Sequence, residues 1–209
     1  NNGKIATGTI TPGNLMYGPL DNANATYVEY ASGNTTPLSS AQGYRAGSVN
    51  GQTLTYSGGA QTADTPVTIT FGAGRYKESN LVGNPFTTHV HSGEILTALG
   101  NSSAIDATFV AIYGYHGSVT SVPTTWKIIN SLTSDELITP GQGFIVISSA
   151  AGGTFTFPES SRRVAADATD DFIVGRQPTT TPSSFKLKLT KGSNVSETSL
   201  YFIDENGSR

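Results

Sequence analysis

Residues 184–191, SFKLKLTK, put Phe185, Leu187 and Leu189 at every second position, with Lys186, Lys188 and Thr190 between them. Successive side chains of an extended chain point to opposite faces, so this spacing fits a strand with one apolar and one wetted face. A helix, with its repeat of 3.6, would scatter the same residues around its circumference. The pattern recurs in PVTITF (66–71), where Val67, Ile69 and Phe71 alternate with Thr68 and Thr70, and in TFTF (154–157). Unbroken apolar runs at FIVI (144–147), TFVAIYGY (108–115) and SLYFI (199–203) predict strands buried on both faces. Turn signals between these short segments predict an all-β fold, an antiparallel β-sandwich or jelly roll.

One short helix interrupts this pattern. HSGEILTALGN (91–101) offers Ser92 as an N-cap, Glu94 in the first turn, Ile95, Leu96 and Leu99 as an apolar face, and Gly100 as the C′ residue. SDELI (134–138) suits a single helical turn, with Asp135 and Glu136 at its start.

A chain of 209 residues buries roughly 70% of its unfolded surface, enough for a core without metal or disulfide. It has no cysteine, which excludes thiolate chemistry and a disulfide framework. Lys and Arg number 12 against 15 Asp and Glu, so no basic surface exists on the scale that neutralising phosphates requires, and nucleic acid is not an expected partner. No apolar run reaches about 18 residues, so no membrane span is expected. The polar bulk is Thr, Ser, Asn and Gly, a balance suited to extracellular strands and turns. NNGKIATGTI, lacking an apolar leader core, reads as the start of a mature or excised piece.

The chain also resembles itself. Gln42-Gly43-Tyr44 and Gln142-Gly143-Phe144 precede similar stretches, TLTY (53–56) matches TFTF (154–157), and NLMYGP (14–19) matches NLVGNP (80–85). Three matches in order indicate two homologous halves, 1–75 and 76–209, the second enlarged by an insertion holding the helix and the only tryptophan, Trp126. The glycines have a structural reading. Pro140-Gly141 suits a type II turn, and Gly143 allows close backbone approach before a strand. No helix follows the motif, so it lacks the positive helix end of a phosphate cradle.

NLVGNPF (80–86), ITPGQGFIV (138–146), GTFTFPESSRR (153–163) and SSFKLKLTKGSNVSETSLYF (183–202) together resemble a β-rich region of secreted Bacteroidota surface proteins. SSAQGYRA (39–46) and TLTYSGGAQTADTPVTITF (53–71) are similar to its upstream part. In that family the region precedes the C-terminal sorting domain of the type IX secretion system. The resemblance implies a cell-surface location and a β-sandwich; it implies no enzymatic activity. It departs from the family at the N-terminal entry and around Trp126.

Candidate chemistry is sparse. His89 and His91, at i and i+2, would share a strand face and reach one metal, with Glu94 or His116 as a third ligand; the competing reading is a polar loop before the helix. Asp167, Asp170 and Asp171 offer oxygen ligands to Ca²⁺ without an EF-hand pattern, against a solvated loop. DENG (204–207) reads as a turn. There is no Gly-x-Ser-x-Gly elbow, and the carboxylates are scattered, so neither an enzyme nor a cofactor is expected. Arg162-Arg163 reads as solvated surface charge. The five Asn-x-Ser/Thr sequons, at Asn24, Asn34, Asn101, Asn194 and Asn206, match what this composition produces by chance. Tyr113, Tyr115 and Trp126 could stack on the apolar faces of a sugar or serve as packing. The expected function is a non-catalytic, extracellular structural or adhesive module with a surface glycan or protein as partner. The alternatives are a carbohydrate-binding module and a self-associating filament subunit that extends a neighbour's sheet.

Overall fold

The computed structural model describes residues 7–8, 14–15, 17–30, 36–46, 58–116, 125–133, 135–164, 183–191 and 194–202. Its strands, in chain order, are β1 (Thr7–Gly8), β2 (Asn14–Leu15), β3 (Tyr17–Asp21), β4 (Thr26–Tyr27), β5 (Tyr44–Ala46), β6 (Thr65–Ile69), β7 (Ser79–Gly83) and β8 (His89–His91). After helix α1 (Ser92–Gly100) come β9 (Ile112–His116), β10 (Thr125–Ile129), β11 (Leu137–Ile138), β12 (Gly143–Ile147), β13 (Gly153–Phe157), β14 (Arg162–Arg163), β15 (Ser183–Lys191) and β16 (Asn194–Phe202). The fold is all-β, built from antiparallel strand pairs with one short α-helix among the described residues. Its two compact units are Asn1–Val174 and Gly175–Arg209. In the second, β15 and β16 pair from Ser183↔Phe202 to Lys191↔Asn194.

In the first unit the described sheets are β10-β9-β12-β7, β11-β8-β14, β4-β3-β5, the short pair β1-β2 and the ribbon β13-β6. One core joins the four-stranded sheet, β11-β8-β14 and the ribbon; the described residues of β4-β3-β5 contribute nothing to it. Ile112, Ile129, Phe144, Val146 and Val82 supply the buried face of the four-stranded sheet, and Val67, Ile69, Phe155 and Phe157 that of the ribbon. Phe144 and Phe157 meet edge-on at 6.0 Å, and Phe157 meets Phe155 at 5.0 Å. Ile95 and Leu99 of α1 complete the cluster. Full burial of one such side chain contributes about 1.5–3 kcal/mol, so these few residues dominate the unit's stability.

The period-two reading of β6 and β13 holds, since Val67, Ile69, Phe155 and Phe157 are buried while Thr68 and Thr156 face water. Phe71 lies past the end of β6, partly exposed under the Lys77 ammonium. The runs read as buried on both faces are not. In β12, Phe144 and Val146 are buried but Ile145 and Ile147 only in part. TFVAIYGY forms a strand only from Ile112, and Phe109 and Tyr115 stand half exposed. Apolar composition concealed a one-sided sheet. The side chains of SLYFI lie outside the described residues, as does TLTY.

Both Gln-Gly-aromatic triplets flank β7. On one edge β12 pairs with β7 from Gly143↔Gly83 to Ile147↔Ser79. On the other, Gln42 bridges Val82, Gly43 N–H donates to Leu81 O, and Gly83 N–H donates to Ala41 O. The close approach sits at the first triplet. A Cβ on Gly43 would lie 2.8 Å from Val82 O, whereas on Gly143 it would meet ordinary contacts at 3.5 Å. The type II turn forms as expected: Gly141 has φ +71°, and Gln142 N–H donates to Thr139 O.

Helix α1 occupies its expected span with different ends. His91 holds the N-cap position without a side-chain cap, and buried Ser92 instead accepts the Glu136 N–H on its Oγ. Gly100 is the last helical residue, and Asn101 caps with right-handed dihedrals. SDELI forms no helical turn over its described residues: Leu137–Ile138 is a strand pairing with His91 and Val90. That pairing holds Asp135 beside β8 and supersedes the local helix signal.

Candidate functional site: an aromatic groove on the open sheet face

The register of β9 and β10 sets Trp126 opposite Tyr115 and Ile128 opposite Tyr113, while Ile129 and Ile112 pair on the buried face. Tyr113 also pairs with Ile145 of β12, extending the outer face to Ile145 and Ile147. Trp126 is 53% exposed, Tyr115 52% and Ile128 46%. The trio is therefore together on one face: alternation along β9 puts Tyr113 and Tyr115 there, and the β9–β10 register adds Trp126. Trp126 and Tyr115 form a T-shaped pair at 5.4 Å.

Against this floor a groove of about 520 Å³ opens, lined by Tyr113, Trp126, Ile128, Ile145, Ile147 and Ser79 on the sheet side. Leu20, Ala25, Tyr27 and Tyr76 form the other wall. Tyr115 is outside the lining and supports Trp126 from behind. Nothing in the sequence pointed to this second wall, because its residues come from the β3–β4 hairpin and the 73–78 turn and carry no shared motif.

Two polar anchors position that wall. Asn22 Nδ2 donates to Thr70 O and Lys77 O, and its Oδ1 accepts from Thr70 Oγ1, tying the β3–β4 turn to the end of β6 and the next turn. Asp21 accepts the N–H groups of Ala23 and Asn24 and the Asn24 side-chain amide. The bond from the Asn24 side chain, then that from its backbone, hold the Asp21 carboxyl below its ordinary value. These bonds shape the turn in which Ala25 adopts φ +53°. Beside the same sheet, burial and then the neighbouring Tyr44 push the Tyr30 phenol up.

The other candidates lie elsewhere. His89 and His91 sit on a strand rather than in a polar loop, flanking buried Val90. His91 Nε2 lies 3.5 Å from Asp135 Oδ2, and Glu94 is engaged by Arg163. His116 closes β9, paired with Thr125. Among the described residues no three His, Asp or Glu side chains converge on a metal-sized site; Asp167, Asp170, Asp171 and DENG lie outside those residues. Asp135 and Glu136 start no helical turn: Glu136 pairs with Lys127 at 2.5 Å, binding edge strand β10 to the segment before β11. Arg162 and Arg163 are not simply solvated. Arg162 lies over the Phe86 ring and donates to Thr62 O, while Arg163 donates to Glu94 and to Ser160 O.

Among the described residues no helix is long and apolar enough to cross a membrane. No protein-family model matches the chain, and neither does any curated protein or solved structure.

Proposed function

We propose that the chain is a non-catalytic module of an extracellular surface protein, structural or adhesive in role, which contacts its partner through the aromatic groove. The observation that carries this reading is the exposure of Trp126, Tyr115 and Ile128 on strands whose opposite face gives Ile112 and Ile129 to the core. Apolar surface left in water forgoes about 25 cal/mol per Å², and contiguous exposed patches mark contact sites. The groove's lining holds no carboxylate, histidine or lysine that could serve acid–base chemistry at neutral pH. The Thr/Asn/Gly-rich, cysteine-free composition and the resemblance to secreted surface proteins support the extracellular location.

The internal similarity belongs to the same reading. Tyr17–Pro19 of NLMYGP pair with Tyr44–Ala46 of QGYRA, and Asn80–Gly83 of NLVGNP pair with Gly143–Val146 of QGFIV, whereas Asn14 and Leu15 of the first motif pair with β1. Each half sets its Gln-Gly-aromatic strand antiparallel to the segment that carries its Asn-Leu motif, in shifted register, which supports a duplicated architecture, and the insertion of the second half supplies Tyr113, Trp126 and Ile128 to the groove.

A carbohydrate partner is the second reading, favoured by the Trp126–Tyr115 ledge, whose flat rings suit a sugar's apolar face. The test is a glycan array alongside an array of surface proteins, probed with the wild-type chain and Trp126→Ala. Binding that Trp126→Ala loses supports the module reading, and the array on which it occurs identifies the partner class. Binding that Trp126→Ala retains in full would remove the groove from the account. Trp126 is the only tryptophan, so its emission reports on this site alone.

A further inference from the structure

The groove's chemistry is lopsided. Of its lining residues only Ser79 is neither apolar nor aromatic, and none is charged. Although the chain carries more acids than bases, the charges set against the groove's rings are arginines. The Arg45 guanidinium lies 4.4 Å from the Tyr27 ring centre and that of Arg75 lies 5.5 Å from the Tyr76 ring centre. Neither is among the ion pairs of the described residues, which join His91 to Asp135, Lys127 to Glu136 and Arg163 to Glu94.

Arg45 is the sharper case. Its Nε is shut off from water and has no hydrogen-bond acceptor. A buried donor left in this state carries an uncompensated desolvation cost. The register shows where this donor stands. Arg45 pairs with Gly18, two residues before Leu20, and Leu20 pairs with Tyr27. Arg45, Leu20 and Tyr27 therefore share one face of the β4-β3-β5 sheet, the face that gives Leu20 and Tyr27 to the groove. Asp21, the nearest carboxylate along β3, is committed to the Ala23 and Asn24 donors.

We propose that the groove binds a small apolar carboxylate: a flat or branched hydrocarbon body against Trp126, Tyr113 and Ile145, with its single anionic group accepting from the terminal N–H groups of Arg45, whose guanidinium lies over the lining residue Tyr27 but outside the lining itself. A volume of about 520 Å³ falls within the range of small-molecule sites. A neutral sugar fits the interior poorly, because its hydroxyls would face aliphatic side chains and find few polar partners. The inference rests on the groove being the module's contact site, and it adds the ligand's charge and class.

The test uses 2-naphthoate and its neutral counterpart 2-naphthalenemethanol, titrated into the full chain and followed by calorimetry and Trp126 emission. Naphthoate should bind about tenfold or more tighter than the alcohol, with the ratio shrinking as salt rises. Arg45→Met, which keeps the stem's apolar length, should bring the ratio to about one, chiefly by loss of naphthoate affinity; Arg45→Lys should retain part of the preference. A thermal melt of each variant verifies that it folds. Equal affinities in the wild type, a preference that survives in Arg45→Met, or no naphthoate binding would each overturn the proposal. If array binding still depends on Trp126 in that event, the module reading stands and only the ligand class falls.

Discussion

Trp126 meets Tyr115 edge-on across the β9–β10 pair, ring centres 5.4 Å apart and planes inclined at 65°, yet each ring keeps about half its surface in water. Such a pair stabilises the fold by only about 0.5–1.5 kcal/mol. Ile129, three positions further along β10, is buried in the core. Trp126→Ala should therefore cost about 1 kcal/mol in urea unfolding and remove partner binding. Ile129→Ala should cost about 2–5 kcal/mol. A Trp126→Ala loss as large as that of Ile129→Ala would place the indole in the core.

Asn84 is the polar centre of the loop joining β7 to β8. Its Nδ2 donates to Thr88 O, Ile138 O and Thr139 O, and its Oδ1 accepts the Phe86 N–H. The side chain is 3% exposed, so water cannot readily replace it. Asn84→Ala strands several backbone groups at once and should cost about 2–3 kcal/mol. Asn84→Asp should do no better, because a carboxylate cannot donate to the three carbonyls. Equilibrium unfolding of both variants checks this, and a near-neutral Asn84→Asp would refute the role of the donors.

What the sequence made legible follows from how local each cause is. Alternation placed Val67, Ile69, Phe155 and Phe157 on the buried faces of β6 and β13, because a strand's two faces are fixed by its own residues. The shared face of Tyr113 and Tyr115 followed from the same rule, whereas Trp126 joins them through the register of β10 on β9, which no local pattern sets. The one-sided exposure of β9 and β12 was not legible, since apolar residues on an open groove read like apolar residues in a core. Asp135 and Glu136 suggested a helix start by their own chemistry, but a tertiary pairing of Leu137 and Ile138 with β8 took precedence. The groove's second wall depends on Asn22 reaching Thr70 and Lys77, 48 and 55 residues away, which no local pattern encodes.

Gly141 and Gly152 separate two costs of a side chain. Both have positive φ, +71° and +59°. A Cβ on Gly141 would meet nothing within 4 Å, while on Gly152 it would lie 2.7 Å from Ile69 O. Gly141→Ala should cost about 1–2 kcal/mol, the left-handed penalty alone, and Gly141→Asn less. Gly152→Ala adds a clash with the ribbon backbone and should exceed it by about 1 kcal/mol or more. Parallel thermal melts decide; equal losses would show that the backbone at Gly152 yields freely.

Asp21 links pH to the groove through Ala25. Its carboxyl is held below the ordinary value of 3.8 by the Asn24 side chain and the local N–H groups, so the folded turn favours the ionised form. The stabilisation is complete above pH 3.8 and disappears as pH falls through the lowered value. Protonation removes the acceptors that order residues 22–25, and Ala25 then no longer holds its place in the wall. Affinity for the neutral probe 2-naphthalenemethanol should stay flat from pH 7 to about 5 and decline below pH 3.8. Asp21→Ala should begin at the lower affinity and lose this acid dependence. Following Trp126 emission across the same range measures both; a wild-type profile parallel to that of Asp21→Ala would show that the turn does not govern the groove.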